Sequence, residues 1–272
     1  MAMDAELEIH RWENGAIQSR KDCVAQEAPL EIRINGESLT ITMRTPGDDF
    51  SLTSGFLFAE SVIQSYADIE TIGYDCVMNE PGERNSIRVT LKAENVLAYD
   101  KAKLERNFIS TSSCGICGKS SLEAVRCLAK PLTDHDFRAP ATLFEELSAR
   151  MRASQSAFDK TGGLHAAALF SNKGEMLILS EDIGRHNAVD KLIGRALYEN
   201  RLPLSAHILL VSGRTSFEIL QKAAVARIPI VCAVSAPSSL AVELARELNI
   251  TLIGFLRGDT MNIYSGVERI DA

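Results

Sequence analysis

The chain has 272 residues, 46% of them apolar, with a mean hydropathy near zero, enough for one large α/β domain or two smaller ones. Its 29 Lys and Arg against 36 Asp and Glu leave a net charge of -7; this excludes a generalised nucleic-acid binder but leaves room for an Arg cluster that takes one anion. The start, Met1-Ala2-Met3-Asp4-Ala5-Glu6, has no basic or apolar region of a secretion signal, and no apolar run is long enough to cross a bilayer, so a soluble cytoplasmic protein is expected.

In chain order, residues 31–34 and 39–43 flank Asn35-Gly36 and predict a hairpin. Residues 48–62 predict a helix with Asp at its start and Leu52, Gly55, Phe56 and Ala59 at helical spacing. Residues 86–91 predict a strand, which makes this region α+β. A polar run, Ser110-Thr111-Ser112-Ser113, leads to Cys114 and Cys117. Ser120 and Glu123 then form a capping box that opens a helix bearing Leu122, Val125, Leu128 and Ala129. Residues 131–140 read as a linker, and Thr142 with Glu145 opens a second helix toward Met151.

From Gly162 the pattern changes. Residues 166–170 and 176–179 predict a second hairpin. Three strand–loop–helix units follow: the strand at 177–179 leads through Glu181-Asp182-Ile183-Gly184-Arg185-His186-Asn187 to a helix with Val189, Leu192, Ile193, Ala196 and Leu197 on one face. The strand at 208–211 leads through Ser212-Gly213-Arg214-Thr215 to a helix capped by Thr215 and Glu218. The strand at 230–234 leads to a helix bearing Leu240, Leu244, Ala245 and Leu248. A last strand covers 251–256. Such alternation predicts an α/β fold, a three-layer sandwich around a mostly parallel sheet. Two units are expected: an N-terminal α+β subdomain over 1–137 that carries the cysteine loop, and a ligand-binding domain over 138–272.

Six cysteines are too few and too scattered for a disulfide scaffold. Cys232 in an apolar run and Cys127 on an apolar helix side read as small core residues; Cys23 and Cys76 lie in strand-like segments without an assigned role. Cys114 and Cys117 form the one pair. They precede a helix N-terminus, adjoin Lys119, and are flanked by Gly115 and Gly118, all of which favour an accessible thiolate. A zinc half-site would need two further ligands, and no second Cys-x-x-Cys exists. A thioredoxin-like pair would usually follow an aromatic residue rather than serines. Sulfur or disulfide chemistry is therefore the favoured reading, with the other two as alternatives.

In open α/β sheets, ligands bind at the carboxyl ends of the strands. Three loops expected there carry Arg185, Arg214 and Arg257, suited to bidentate contact with phosphate, yet neither Gly-x-Gly-x-x-Gly nor a Walker loop occurs. His165 and His186 fall at a strand mouth and a helix start. A zinc deaminase would need Glu two residues after such a His and a Pro-Cys-x-x-Cys at the next helix. Ala188 and Gly213-Arg214-Thr215-Ser216 stand there instead, which excludes that chemistry while leaving the layout open.

Taken together, Thr111 to Gly118, Thr161-Gly162-Gly163-Leu164-His165, Glu181 to Lys191, Ser212-Gly213-Arg214 and Asn262-Ile263-Tyr264 resemble the formate dehydrogenase accessory sulfurtransferase family, FdhD, in the same order from about Ala28 onward. The resemblance implies a cytidine-deaminase-like C-terminal three-layer α/β/α sandwich without zinc or another resident metal. It implies a sulfurtransferase that takes sulfur from a cysteine desulfurase as a cysteine persulfide. The sulfur passes to the molybdenum bis(molybdopterin guanine dinucleotide) cofactor, bound as acceptor substrate, before that cofactor enters formate dehydrogenase. Cys114 is then the persulfide site and Cys117 its accessory, and the family's cofactor contact maps onto Phe255, Leu256, Arg257, Gly258, Asp259 and Thr260. Position adds His165, Asp182, Arg185, His186 and Arg214 as ligand contacts. A homodimer is expected for this fold. The alternative is a chaperone that delivers the cofactor without sulfur chemistry.

Overall fold

The computed structural model describes residues 3–75, 84–93, 130–133 and 137–271; Cys76, Cys114, Cys117, Cys127 and the helix expected from Ser120 lie outside the described residues. The chain opens with a two-stranded ribbon, β1 (Asp4–Glu13) and β2 (Ala16–Ala25), turned by Asn14-Gly15. The expected hairpin follows as β3 (Ala28–Ile34) and β4 (Glu37–Arg44). Asn35 and Gly36 both take positive φ, 50° and 90°, the combination a tight hairpin turn needs to match strand twist. With β5 (Ile69–Tyr74) and β6 (Ser86–Leu91) they form a four-stranded sheet in the order β4-β3-β6-β5. Leu30, Ile32, Ile34, Ile87 and Val89 point to one buried face, where period-2 alternation sends them.

Helix α1 (Asp49–Ala59) covers that face. Arg44 and Asp49 join the strand to the helix by two hydrogen bonds of 2.9 and 3.0 Å, and both side chains are buried. Toward the C-terminus come the short β7 (Ala139–Pro140), a 3₁₀ turn over Ala141–Glu146, α2 (Leu147–Ser154) and α3 (Ser156–Thr161). The capping box expected at Thr142 is not formed, because Pro140 sits at the N-cap and the first turn is 3₁₀. The expected linker is tied down at both ends: Leu132 N–H donates to Leu248 O at 2.9 Å, and β7 pairs with β14 (Ile270–Asp271).

The second sheet contains β8 (His165–Ser171), β9 (Met176–Asp182), β10 (His207–Val211), β11 (Ile230–Ala233), β12 (Thr251–Arg257) and β13 (Thr260–Ser265), in the order β13-β12-β11-β10-β8-β9. Only β10–β11 and β11–β12 are parallel. The sheet is therefore mixed rather than mostly parallel, because a hairpin returns antiparallel at each edge. Successive residues alternate between its faces. Ala167, Leu169, Leu209 and Val211 meet α4 (Arg185–Tyr198), α5 (Phe217–Val225) and α6 (Ser239–Glu247), while Ala166, Ala168, Phe170 and Leu210 meet the layer holding Phe144, Leu147 and Met151. Helices thus cover both faces.

The expected boundary at 137/138 separates units that share one core. Helices α1 and α4 cross with their backbones in contact: a Cβ on Gly55 would lie 1.9 Å from the Asp190 carbonyl oxygen, and one on Gly194 1.9 Å from that of Ser51. Only glycine permits this approach.

Candidate functional site

Where β8 begins and β10, β11 and β12 end, a cleft of about 670 Å³ opens between the sheet and the α2–α3 layer. Met151, Arg152, Gln155 and Phe158 form one wall, Gly162, Gly163 and His165 the next, Ser212 and Val234 the floor, and Leu256, Arg257 and Gly258 the far lip. Of the residues expected to touch ligand, His165, Leu256, Arg257 and Gly258 line this cleft. On that lip Leu256 is buried in the core, whereas Arg257 is exposed at the rim. Asp259 and Thr260 complete the exposed turn after Arg257, with Thr260 Oγ1 donating to the Arg257 carbonyl at 3.0 Å. Phe255 stands on a bulge between Gly254 and Arg257, with φ of 53° and 38% exposure. A bulge re-aims side chains at a sheet edge, and a left-handed aromatic residue is a strained one.

Arg185 and Arg214 are not among the residues that line the cleft; they stand near His165, at the start of α4 and in the loop after β10. A Cβ on Gly213 would lie 3.1 Å from His165 Nδ1 and 3.8 Å from Arg185 Cδ, so the loop presses on both. Arg214 is exposed, and Arg185 is half-buried with its Nε lacking a partner. Among the described residues no carboxylate pairs with the side chain of Arg185, Arg214 or Arg257. Burial first, then the Arg185 charge, hold the His165 imidazole below its ordinary pKa; Asp182 pulls the other way, and Arg214 adds a smaller push down. His165 is therefore neutral near pH 7, and positive charge at the cleft comes from guanidinium groups.

Asp182 requires a correction. Expected among the ligand contacts, it is fully buried, and both of its oxygens are used within the protein. Oδ1 accepts from Gly184 N at 2.8 Å and Asn187 Nδ2 at 3.0 Å; Oδ2 accepts from Thr45 N at 3.1 Å and pairs with Lys191 Nζ at 2.7 Å. His186 is also drawn away from the cleft. Its Nε2 lies 2.8 Å from Ser216 Oγ and 3.0 Å from Glu218 Oε2. Burial, with Arg185 and Lys222 nearby, pushes its pKa down to about 3, so its contact with Glu218 is a hydrogen bond and not an ion pair. Glu218 is thereby spent on His186, and the expected cap by Thr215 is absent: Ser216 is the N-cap of α5, and Thr215 Oγ1 is buried without a partner.

The stretch from Glu181 to Lys191 is thus mainly scaffold. The Glu181 carboxylate accepts from Ala157 N and Phe158 N at 3.1 and 2.9 Å, at the start of α3. Asn187 Nδ2 donates to the Met43 carbonyl at 2.8 Å, and Asp190 holds buried Lys222 at 2.7 Å. These contacts fix the surroundings of Arg185, the first residue of α4. Sequence reasoning missed Arg152, Gln155 and Phe158. Arg152 stacks on the Phe158 ring at 4.7 Å and pairs with Asp159 at 2.6 Å; the break between α2 and α3 removes any helical spacing that could have flagged them. Among the described residues no group of three or more His, Cys, Asp or Glu could hold a metal ion, and no helix is long and apolar enough to cross a membrane.

Fold and site together define a mixed α/β protein with a cation-rimmed cleft at the carboxyl ends of its central strands. The chain belongs to the FdhD/NarQ family, whose model matches residues 25–271. It is 52% identical over 264 residues to a Streptomyces coelicolor protein named sulfur carrier protein FdhD, covering 96% of this chain and 94% of that one. A Sulfolobus acidocaldarius protein of the same name is 42% identical, covering 98% of both. A crystal structure from Desulfotalea psychrophila, provisionally described as a formate dehydrogenase accessory protein, superposes with a TM-score of 0.77 over 99% of this chain and 100% of that one. At 24% identity, it supports the fold alone.

Proposed function

We propose that this protein is a sulfurtransferase of formate dehydrogenase maturation. It accepts sulfur from a cysteine desulfurase and passes it to the molybdenum bis(molybdopterin guanine dinucleotide) cofactor as acceptor substrate. In the first step the Cys114 thiolate attacks the terminal sulfur of the donor's persulfide. A new S–S bond forms on Cys114, the donor S–S bond breaks, and the donor leaves as a thiolate. Cys117 is an accessory to this step. Residues 1–137 carry the cysteine loop, and residues 138–272, arranged in a cytidine-deaminase-like sandwich, receive the guanine dinucleotide ends.

The observation that carries the reading is a set of three cations, Arg257 on the cleft lip and Arg185 and Arg214 beside His165, that pair with no carboxylate among the described residues of a chain whose net charge is -7. Such a cluster in an acidic protein suits an anion, and diphosphate suits the bidentate geometry of guanidinium groups. The names of the relatives support the sulfur chemistry.

Incubation with a cysteine desulfurase and cysteine, followed by peptide mass spectrometry, tests the first step. A gain of one sulfur, about 32 Da, on the Cys114 peptide is expected for a thiolate acceptor; its absence overturns the persulfide step. Calorimetry with guanosine diphosphate tests the cleft. Arg185→Gln or Arg214→Gln is expected to weaken binding about tenfold each, as loss of a charge-assisted contact does. A delivery chaperone without sulfur chemistry is the second reading. Formate dehydrogenase activity sustained by a Cys114→Ala, Cys117→Ala double variant would establish it.

A further inference from the structure

The two sides of the cleft differ in chemistry. On the α2–α3 wall the charge of Arg152 is met by Asp159 at 2.6 Å, and its guanidinium lies over the Phe158 ring at 4.7 Å. Met151, Phe158 and Leu164 add apolar surface there. On the far lip, Arg257 pairs with no carboxylate among the described residues. The cleft therefore has a flat, mainly apolar side and a cationic one.

Gln155 stands in the flat wall at the break between helices, where its backbone (φ -79°, ψ 72°) ends α2 and starts α3. A residue at that position can cap the second helix with its side chain. Gln155 makes no such bond, because the Glu181 carboxylate accepts from Ala157 N and Phe158 N in its place. Its carboxamide consequently makes no hydrogen bond among the described residues, although Gln155 is only 3% exposed. Neither amide atom is sealed from solvent, and the cleft is the opening that reaches them. A nearly enclosed amide without a partner costs stability, and a ligand in the cleft can satisfy it.

We propose that Gln155 reads the base of the acceptor's nucleotide end and so sets its direction: guanine on the Arg152–Phe158 wall, diphosphate toward Arg257. The inference rests on the cleft being the acceptor's site. Aromatic rings and guanidinium planes are stacking surfaces for a base. The carboxamide offers an acceptor and two donors in one plane, which complement the Watson–Crick edge of guanine. N1–H donates to Oε1, and O6 accepts from Nε2. The N7–O6 edge of guanine presents two acceptors and would leave Oε1 unpaired. Gln155 is thus a specificity residue, and the arginines supply affinity for the phosphates.

Titration calorimetry of the full chain with guanosine diphosphate and with inorganic diphosphate tests this. Wild type is expected to bind guanosine diphosphate about tenfold or more tighter than diphosphate. Gln155→Met is expected to lose that preference, with diphosphate affinity kept. Its thermal midpoint is expected to hold or rise, since an unsatisfied amide is removed. On the wild-type protein, 1-methylguanosine diphosphate, which lacks the N1–H, is expected to bind about tenfold more weakly than guanosine diphosphate. A wild type with no preference for the nucleotide overturns the proposal. So does a Gln155→Met protein that keeps the preference, or a methylated base bound as tightly as guanine. If neither guanosine diphosphate nor diphosphate binds, the anion site itself falls, and this inference with it.

Discussion

At the scale of single residues, the buried charges do two different things. Arg44 is fully enclosed, and its two contacts to Asp49 satisfy it; Tyr74 adds a third bond to the same carboxylate at 3.0 Å. Asp49→Asn leaves the guanidinium uncompensated inside the protein and is expected to cost about 3–5 kcal/mol, as breaking a buried pair from one side does; urea unfolding measures it. His186 acts through pH. Its native pKa near 3 lies below the ordinary value of 6.5, so between those values the unfolded chain binds a proton that the folded chain refuses. Its contribution is complete above pH 6.5 and is lost as pH falls toward 3. His186→Gln is therefore expected to lose less melting temperature than wild type between pH 7 and 4.5, although both His165 and His207, also held low by burial, remain in each protein.

At the scale of elements, the α1–α4 crossing joins the two halves of the chain. The atoms that a Cβ would strike at Gly55 and Gly194 are backbone atoms and cannot rotate aside. Gly194→Ala is expected to destabilise by about 1–3 kcal/mol or more, as overpacking does, with the loss read in the thermal midpoint. The same contact accounts for the ordering of the cleft: α4 begins at Arg185, and the residues of its first turns tie it to β4, β9 and α5. Hairpins at residues 31–43 and 166–179 were legible because alternation and turn residues are local signals. Asn14-Gly15 carries the same turn signal, but the strands around it are largely charged and lack a clean apolar face, so periodicity does not mark the arm.

At the scale of the whole molecule, charge is distributed unevenly. A net charge of -7 coexists with Arg257 on the cleft lip and Arg185 and Arg214 near His165, none paired with a carboxylate among the described residues. Guanosine diphosphate affinity is accordingly expected to fall as salt rises from 0.05 to 0.5 M, roughly severalfold, because exposed Arg214 and Arg257 are screened over a Debye length of about 10 Å or less. Titration calorimetry at two ionic strengths checks this; an unchanged affinity would place the anion away from the exposed pair.

By itself the sequence determined five of the six strands of the second sheet, all but the edge strand β13, the helices that follow β9, β10 and β11, and the loops in which Arg185, Arg214 and Arg257 sit. Those follow from period and turn chemistry over a few residues. The tertiary structure alone decided which titratable groups remain free. Asp182 and His186 look like ligand contacts in a linear reading, because nothing local reveals that Thr45, Lys191, Ser216 and Glu218 will reach them from other elements. Burial makes each of those bonds obligatory, and what is left over includes Arg257 on the cleft lip and Arg185 and Arg214 near His165, none of them paired with a carboxylate among the described residues.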